Sequence, residues 1–209
     1  MRVSLIGMSN IGKSHWATRI AADTGCDHIH CDALIEEKLR PELAQNGYEG
    51  LHGMARWMGL PAAPQHKQHS AMYVAFEREV MREILDRLRN PPEEAAIIDT
   101  TGSVIYTGDD ILAELAATTK VIYFEASEAH TETLFKHYIA NPKPTIWGDL
   151  YAPLPGESER ETLKRCYPLL LRERARRYRA LAHVTIPFEQ HKAHSADIGT
   201  VIRELAKHS

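Results

Sequence analysis

Residues 7–14 read Gly-Met-Ser-Asn-Ile-Gly-Lys-Ser, the spacing G-x-x-x-x-G-K-S, directly behind the apolar run Val3-Ser4-Leu5-Ile6. That spacing suits the holding of phosphate. Gly7 and Gly12 let the backbone curl until successive N–H groups converge on phosphate oxygens. Lys13 reaches the β- and γ-phosphates, Ser14 offers a hydroxyl to Mg²⁺, and the helix predicted behind the loop adds its positive end. The nucleotide-binding set predicted here is Gly7, Met8, Ser9, Asn10, Ile11, Gly12, Lys13, Ser14 and His15, with ATP and Mg²⁺ as cofactors. These residues do not distinguish ATP from GTP.

Two acids and a strand tip supply the remaining chemistry. Asp32 opens Asp32-Ala33-Leu34-Ile35-Glu36, just past a second strand-length run. In a parallel α/β sheet, residues beyond the strand C-termini line the ligand crevice. Asp32 is therefore predicted to share that crevice with the loop and to orient or deprotonate an acceptor hydroxyl. Capping the helix that follows is the alternative role its side chain serves. Ala95-Ala96-Ile97-Ile98-Asp99 is an apolar run ending in an acid, and Asp99 is predicted to hold Mg²⁺ together with Ser14, commonly through a water. A plain strand-end turn is the alternative for Asp99. Thr100-Thr101-Gly102-Ser103 then gives hydroxyls and a pliant backbone, so Thr101 and Gly102 are predicted to contact a polar acceptor. Lys143, between Pro142 and Pro144, is the candidate catalytic cation. Arg172, Arg174, Arg176, Arg177 and Arg179 follow on one helical segment and cannot all point one way.

Strand-length apolar runs alternate with helix-length amphipathic segments, which predicts a parallel sheet built from βαβ units. Strands are predicted at 2–6, 28–31, 95–99, 120–125 and 183–187. Helices are predicted at 13–24, 33–39, 71–89, 110–117, 128–140, 159–181 and 195–207, the last capped by Ser195. Residues 41–70, rich in Pro, Gly, His and Gln, break the alternation as a helical excursion without a strand. Residues 141–157 hold four prolines and two glycines in seventeen positions, so no element persists there and a lid is expected.

The length of 209 residues fits one domain, and 25 Lys+Arg against 28 Asp+Glu argue against a general nucleic-acid or membrane surface. No 18-residue apolar stretch occurs, and a cytoplasmic protein is expected. Cys26, Cys31 and Cys166 are sparse and odd in number, consistent with reduced thiols. His28 and His30 lie two apart on a strand, without further ligands at suitable spacing, so no structural zinc is expected.

With these residues in view, the chain resembles the shikimate kinase family of small P-loop kinases. The likeness rests on the loop at 7–14, on Asp32-x-x-Ile35-Glu36, on a glycine-containing tip after strand three, on the lid, and on Arg174-x-x-x-Tyr178-x-x-x-Ala182-x-x-Thr185. It implies an α/β three-layer sandwich with a five-stranded parallel sheet and a lid. The single domain would span 1–209, with an acceptor-binding excursion at about 33–90 and a lid at about 141–157. In the family the closing arginine binds the substrate carboxylate, which nominates Arg174. Lys143-Pro144 matches the lid's Arg-Pro step, and Asp32 occupies the place of the aspartate that holds the attacking hydroxyl. Three departures stand out. His30 replaces the first acid of the family's D-x-D pair. Thr100-Thr101-Gly102-Ser103 replaces a triple-glycine tip. No Phe-Arg step appears in Met72-Tyr73-Val74-Ala75-Phe76-Glu77. The expected activity is ATP-dependent transfer of a phosphoryl group to a small hydroxylated metabolite by a monomer or homodimer. A nucleotide-binding regulatory module, or a nucleoside monophosphate or sugar-acid kinase, are the alternatives.

Overall fold

In the computed structural model, residues 1–89, 95–127, 129, 131–192, 200, 202 and 204 are described. Five parallel strands form one sheet: β1 (Arg2–Ile6), β2 (Asp27–His30), β3 (Ala96–Asp99), β4 (Lys120–Phe124) and β5 (Val184–Ile186), in the order β2-β3-β1-β4-β5. The helices are α1 (Lys13–Thr24), α2 (Cys31–Ala44), α3 (Gly50–Met58), α4 (His66–Arg89), α5 (Asp109–Thr118), α6 (Thr131–Ala140), α7 (Glu159–Leu181) and α8 (Phe188–Lys192). Alternate residues of each strand enter opposite layers. Val3, Leu5, Ile97, Ile122 and Phe124 pack with Trp16 and Ile20 of α1 on one face. Ile6, Ile98, Val121 and Tyr123 pack with α2, α4, α5 and α7 on the other. A sheet covered on both faces explains why the strands read as nearly unbroken apolar runs.

From β1 the chain steps to β2 on one flank and later crosses to β4 on the other, so the carboxyl ends of β1, β2 and β3 converge where the strand order switches. Leu5 and His30 both pair in register with Asp99. The loop after β1, the start of α2 and the tip of β3 thus emerge at one sheet edge.

Most boundaries moved by one or two residues, and the larger shifts have physical reasons. α2 begins two residues earlier than predicted and runs through Pro41, because Leu39 and Leu43 bury fully behind it and outweigh the backbone hydrogen bond that proline forfeits. The excursion at 41–70 becomes the end of α2, all of α3 and the first turn of α4. α6 begins at Thr131, whereas 128, where it was predicted to start, lies outside the described residues, as does the proposed cap Ser195. α7 follows the prediction from end to end, opened by a capping box in which Ser158 Oγ accepts from the Glu161 amide.

Candidate active site

The loop at 7–14 folds as its glycines require. Gly7 has φ 143°, and a Cβ there would lie 2.7 Å from the Phe124 carbonyl oxygen, so only glycine lets the chain leave β1 alongside β4. Gly12, at φ 106°, caps α1. Lys13 follows in the first turn, buried to 6 % exposure, and its Nζ donates to the carbonyl oxygens of Gly7 at 3.0 Å and Met8 at 3.1 Å. Two of the three ammonium protons are thereby used, and one remains for a ligand. Burial pulls the Lys13 pKa down, while Asp99 and then Asp32 draw it back up.

Asp32 does not cap α2. His30 does, its Nδ1 accepting from the Ala33 amide at 3.2 Å, which leaves the imidazole proton on Nε2, 3.5 Å from Asp99 Oδ2. Freed from capping, the Asp32 carboxylate receives the Tyr73 hydroxyl of α4 on Oδ1 at 3.2 Å. Burial raises its pKa, against the opposing effects of Lys13 and the Tyr73 hydrogen bond.

These groups open onto one cleft of about 590 Å³. Residues 9–15 of the loop, including Lys13, Ser14 and His15, line it with Asp32, Thr101, Gly102 and Lys143. Sequence reasoning missed Leu51 and His52 of α3, Tyr73 of α4, His137 of α6, and Phe188 and Lys192 of α8. Phe188 was open to the argument that found Asp32, because it stands two residues beyond a strand C-terminus. Leu51, His52 and Tyr73 fall within the excursion expected to bind the acceptor without having been singled out, and nothing in the motif pattern marked His137 or Lys192.

Comparison with known proteins decides the fold. The chain superimposes on a shikimate kinase from Acinetobacter baumannii in complex with shikimate with a TM-score of 0.57, at 20% identity over 88% of this chain and 81% of that one. The shikimate kinase from Bacteroides thetaiotaomicron gives 0.57 at 18% identity, covering 90% and 86%. That from Aquifex aeolicus gives 0.54 at 17%, covering 90% and 88%. This is the shikimate kinase fold. No protein-family model and no curated protein matches the sequence.

Within the shikimate kinase fold, several expected site residues take other duties. Gly7 and Met8 do not line the cleft; their carbonyls hold Lys13, and the Met8 side chain is buried. Asp99 does not line it either. It is 3 % exposed, with neither carboxylate oxygen hydrogen-bonded, and it is the foremost favourable charge on Lys13.

Arg174 is the largest correction. The resemblance nominated it for a substrate carboxylate, but the guanidinium is 1 % exposed and outside the cleft lining. Its Nη1 donates to the Gly102 carbonyl at 3.0 Å and its Nη2 to the Ile146 carbonyl at 2.7 Å, with Tyr106 at 5.4 Å beneath the plane. Tyr178, one turn on, donates its hydroxyl to the same Gly102 oxygen. Together they tie α7 to the β3 tip and to the loop at 141–157. That loop is anchored at its inner end: Thr145, Ile146 and Trp147 are buried, and Trp147 Nε1 donates to the Tyr138 hydroxyl at 3.2 Å. Lys143 and Pro144, just before the anchor, face the cleft. Arg174→Ala is expected to lower stability by about 3 kcal/mol, since it strands the buried Ile146 carbonyl, strips Gly102 of one of its two donors and empties a fully buried side-chain site. Urea unfolding reads this; unchanged stability with lost ligand affinity would return Arg174 to direct binding.

Proposed function

We propose that this chain is an ATP-dependent phosphotransferase that moves the γ-phosphoryl group of ATP to a hydroxyl of a small metabolite. One observation carries the reading: loop residues 9–15, with Lys13 among them, share a single cleft with the carboxylate of Asp32. The loop amides and the free proton of Lys13 bind the β- and γ-phosphates. Thr101 and Gly102 form the floor on which the acceptor rests. Asp32 takes the proton of the acceptor hydroxyl while that oxygen bonds to the γ-phosphorus. The bond from γ-phosphorus to the β–γ bridging oxygen breaks, and ADP leaves. Lys143 neutralises charge that develops on the transferred group.

The residues present fit Mg²⁺. Ser14 lines the cleft and would hold the ion there, while Asp99, a buried carboxylate outside the lining whose oxygens have no hydrogen-bond partner, would reach it only through a water. When bound, the ion would neutralise charge on the β- and γ-phosphate oxygens. Among the described residues no helix is long and apolar enough to cross a membrane.

The test is thermal unfolding with a non-hydrolysable ATP analogue and Mg²⁺, followed by ADP release across sugars, polyols, polyol acids and nucleosides. Saturating analogue at about a hundred times its Kd should add about 2.7 kcal/mol of stability. ADP should form with at least one acceptor. Analogue binding with background ADP release throughout would favour a nucleotide-responsive binding module, and no analogue binding would overturn both readings.

A further inference from the structure

Glu77 of α4 is a buried carboxylate that the reaction scheme above does not use. It is 1 % exposed and lies beneath the cleft floor, where it gathers two hydroxyls from the β3 tip. Thr101 Oγ1 donates to Glu77 Oε1, and Ser103 Oγ donates to Glu77 Oε2 at 2.7 Å. The Ser103 amide donates back to Thr101 Oγ1 at 3.0 Å, and the two hydroxyl oxygens lie 3.0 Å apart.

A hydroxyl has one proton and two lone pairs. With Glu77 ionised, both hydroxyl protons point down into the carboxylate. Thr101, which lines the cleft, then has only a lone pair left to present to a ligand. Gly102, beside it, has its carbonyl occupied by Arg174 and Tyr178. The wall facing the floor carries a second carboxylate, Asp32, with Tyr73 already donating into it. Arg174 is turned away into backbone carbonyls. On the wall built from α2, α3, α4 and the β3 tip, the described cleft-lining side chains include no lysine or arginine.

We propose that Glu77, by taking the protons of Thr101 and Ser103, makes the β3 end of the cleft a surface that accepts hydrogen bonds and rejects anions. The phosphoryl acceptor is then an uncharged or cationic ring of sugar size bearing hydroxyl or amino groups, and not a carboxylic acid. The inference rests on the phosphotransferase reading and narrows it. Glu77 is a positioning residue acting through Thr101. It is also poised to change state: burial pushes its pKa up to about 7, against the two hydroxyl donors. The groups that face it are Asp32 and Cys31 of α2, Tyr73 of its own helix and Arg174 of α7. Below that pH the carboxyl keeps a proton, donates it to one hydroxyl, and releases a hydroxyl proton toward the cleft. Discrimination against an anion therefore weakens as pH falls.

D-glucuronate, D-glucuronamide and D-glucosamine serve as probes, titrated calorimetrically into protein saturated with the Mg²⁺ complex of a non-hydrolysable ATP analogue. At about pH 8 the amide and the amine should bind about ten-fold more tightly than the acid. That ratio should shrink in Glu77→Gln, and in the wild type it should fall at about pH 6 more than it does in the variant. The acid binding as tightly as the amide, none of the three binding at millimolar concentration, or a ratio untouched by Glu77→Gln would overturn the proposal. Carbon-13 carboxyl resonances of the wild type, independent of how the variant folds, should show a glutamate titrating near neutrality; a Glu77 still protonated at about pH 9 would also overturn it. Binding of the analogue itself is measured first, in a separate titration without probe, so its failure strikes the phosphotransferase reading and the probe results strike only this inference.

Discussion

Lys13→Ala is expected to leave no measurable phosphoryl transfer, a loss of about a thousand-fold or more, with the sheet intact. The size of the effect follows from three roles held by one ammonium. It is the buried cation of the loop, it clamps the loop's own carbonyls at Gly7 and Met8, and it lowers the pKa of Asp32. Removing it deprives the γ-phosphate of its partner and makes the proposed base harder to ionise. The residual rate of Lys13→Met, which keeps the aliphatic stem, should therefore lose activity on acidification at higher pH than the wild type does. Its effect should also fall short of adding to that of Asp32→Asn, since the two groups act on one event. Initial rates of ADP formation against pH, with circular dichroism as the folding control, measure both points. Wild-type turnover in Lys13→Ala would remove this lysine from the mechanism.

How far the sequence reached can be judged residue by residue. The five strands and the loop were readable because parallel strands buried on both faces leave uninterrupted apolar runs, and because a phosphate loop needs glycine at fixed places. Asp32 was readable from a rule of topology: beyond a strand end, a side chain faces the crevice. What stayed hidden depends on who is paired with whom. Arg174 and the cleft residue Lys143 are both cations near proline- or arginine-rich stretches, but one spends its donors on the Gly102 and Ile146 carbonyls and the other does not. No periodicity reports that choice. Asp99 ends its strand as expected, yet β1 and β2 on either side bury it below the cleft. Glu77 carries no mark in the sequence, because its partners Thr101 and Ser103 come from a distant strand tip. His30 appeared to be a lost acid, whereas its ring takes the cap of α2 and leaves the Asp32 carboxylate to line the cleft.

Asp32→Asn is expected to slow transfer by about two to four orders of magnitude while changing ATP affinity little. Asparagine keeps the shape, and its oxygen can still accept from Tyr73, so the substitution removes basicity and charge alone. The companion variant Tyr73→Phe separates chemistry from packing. The Tyr73 hydroxyl stabilises the ionised form of Asp32, so losing it raises a pKa that burial has already raised. A base with a raised pKa is protonated, and therefore idle, up to a higher pH. The acidic limb of the rate profile should accordingly move to higher pH in Tyr73→Phe, with the rate approaching the wild-type plateau once Asp32 is fully ionised. A merely structural role for Tyr73 would instead depress the rate equally at every pH. If Asp32→Asn turns over as fast as the wild type, the proton must go elsewhere. The half-buried carboxylate at the start of α2 would then be a binding group and nothing more.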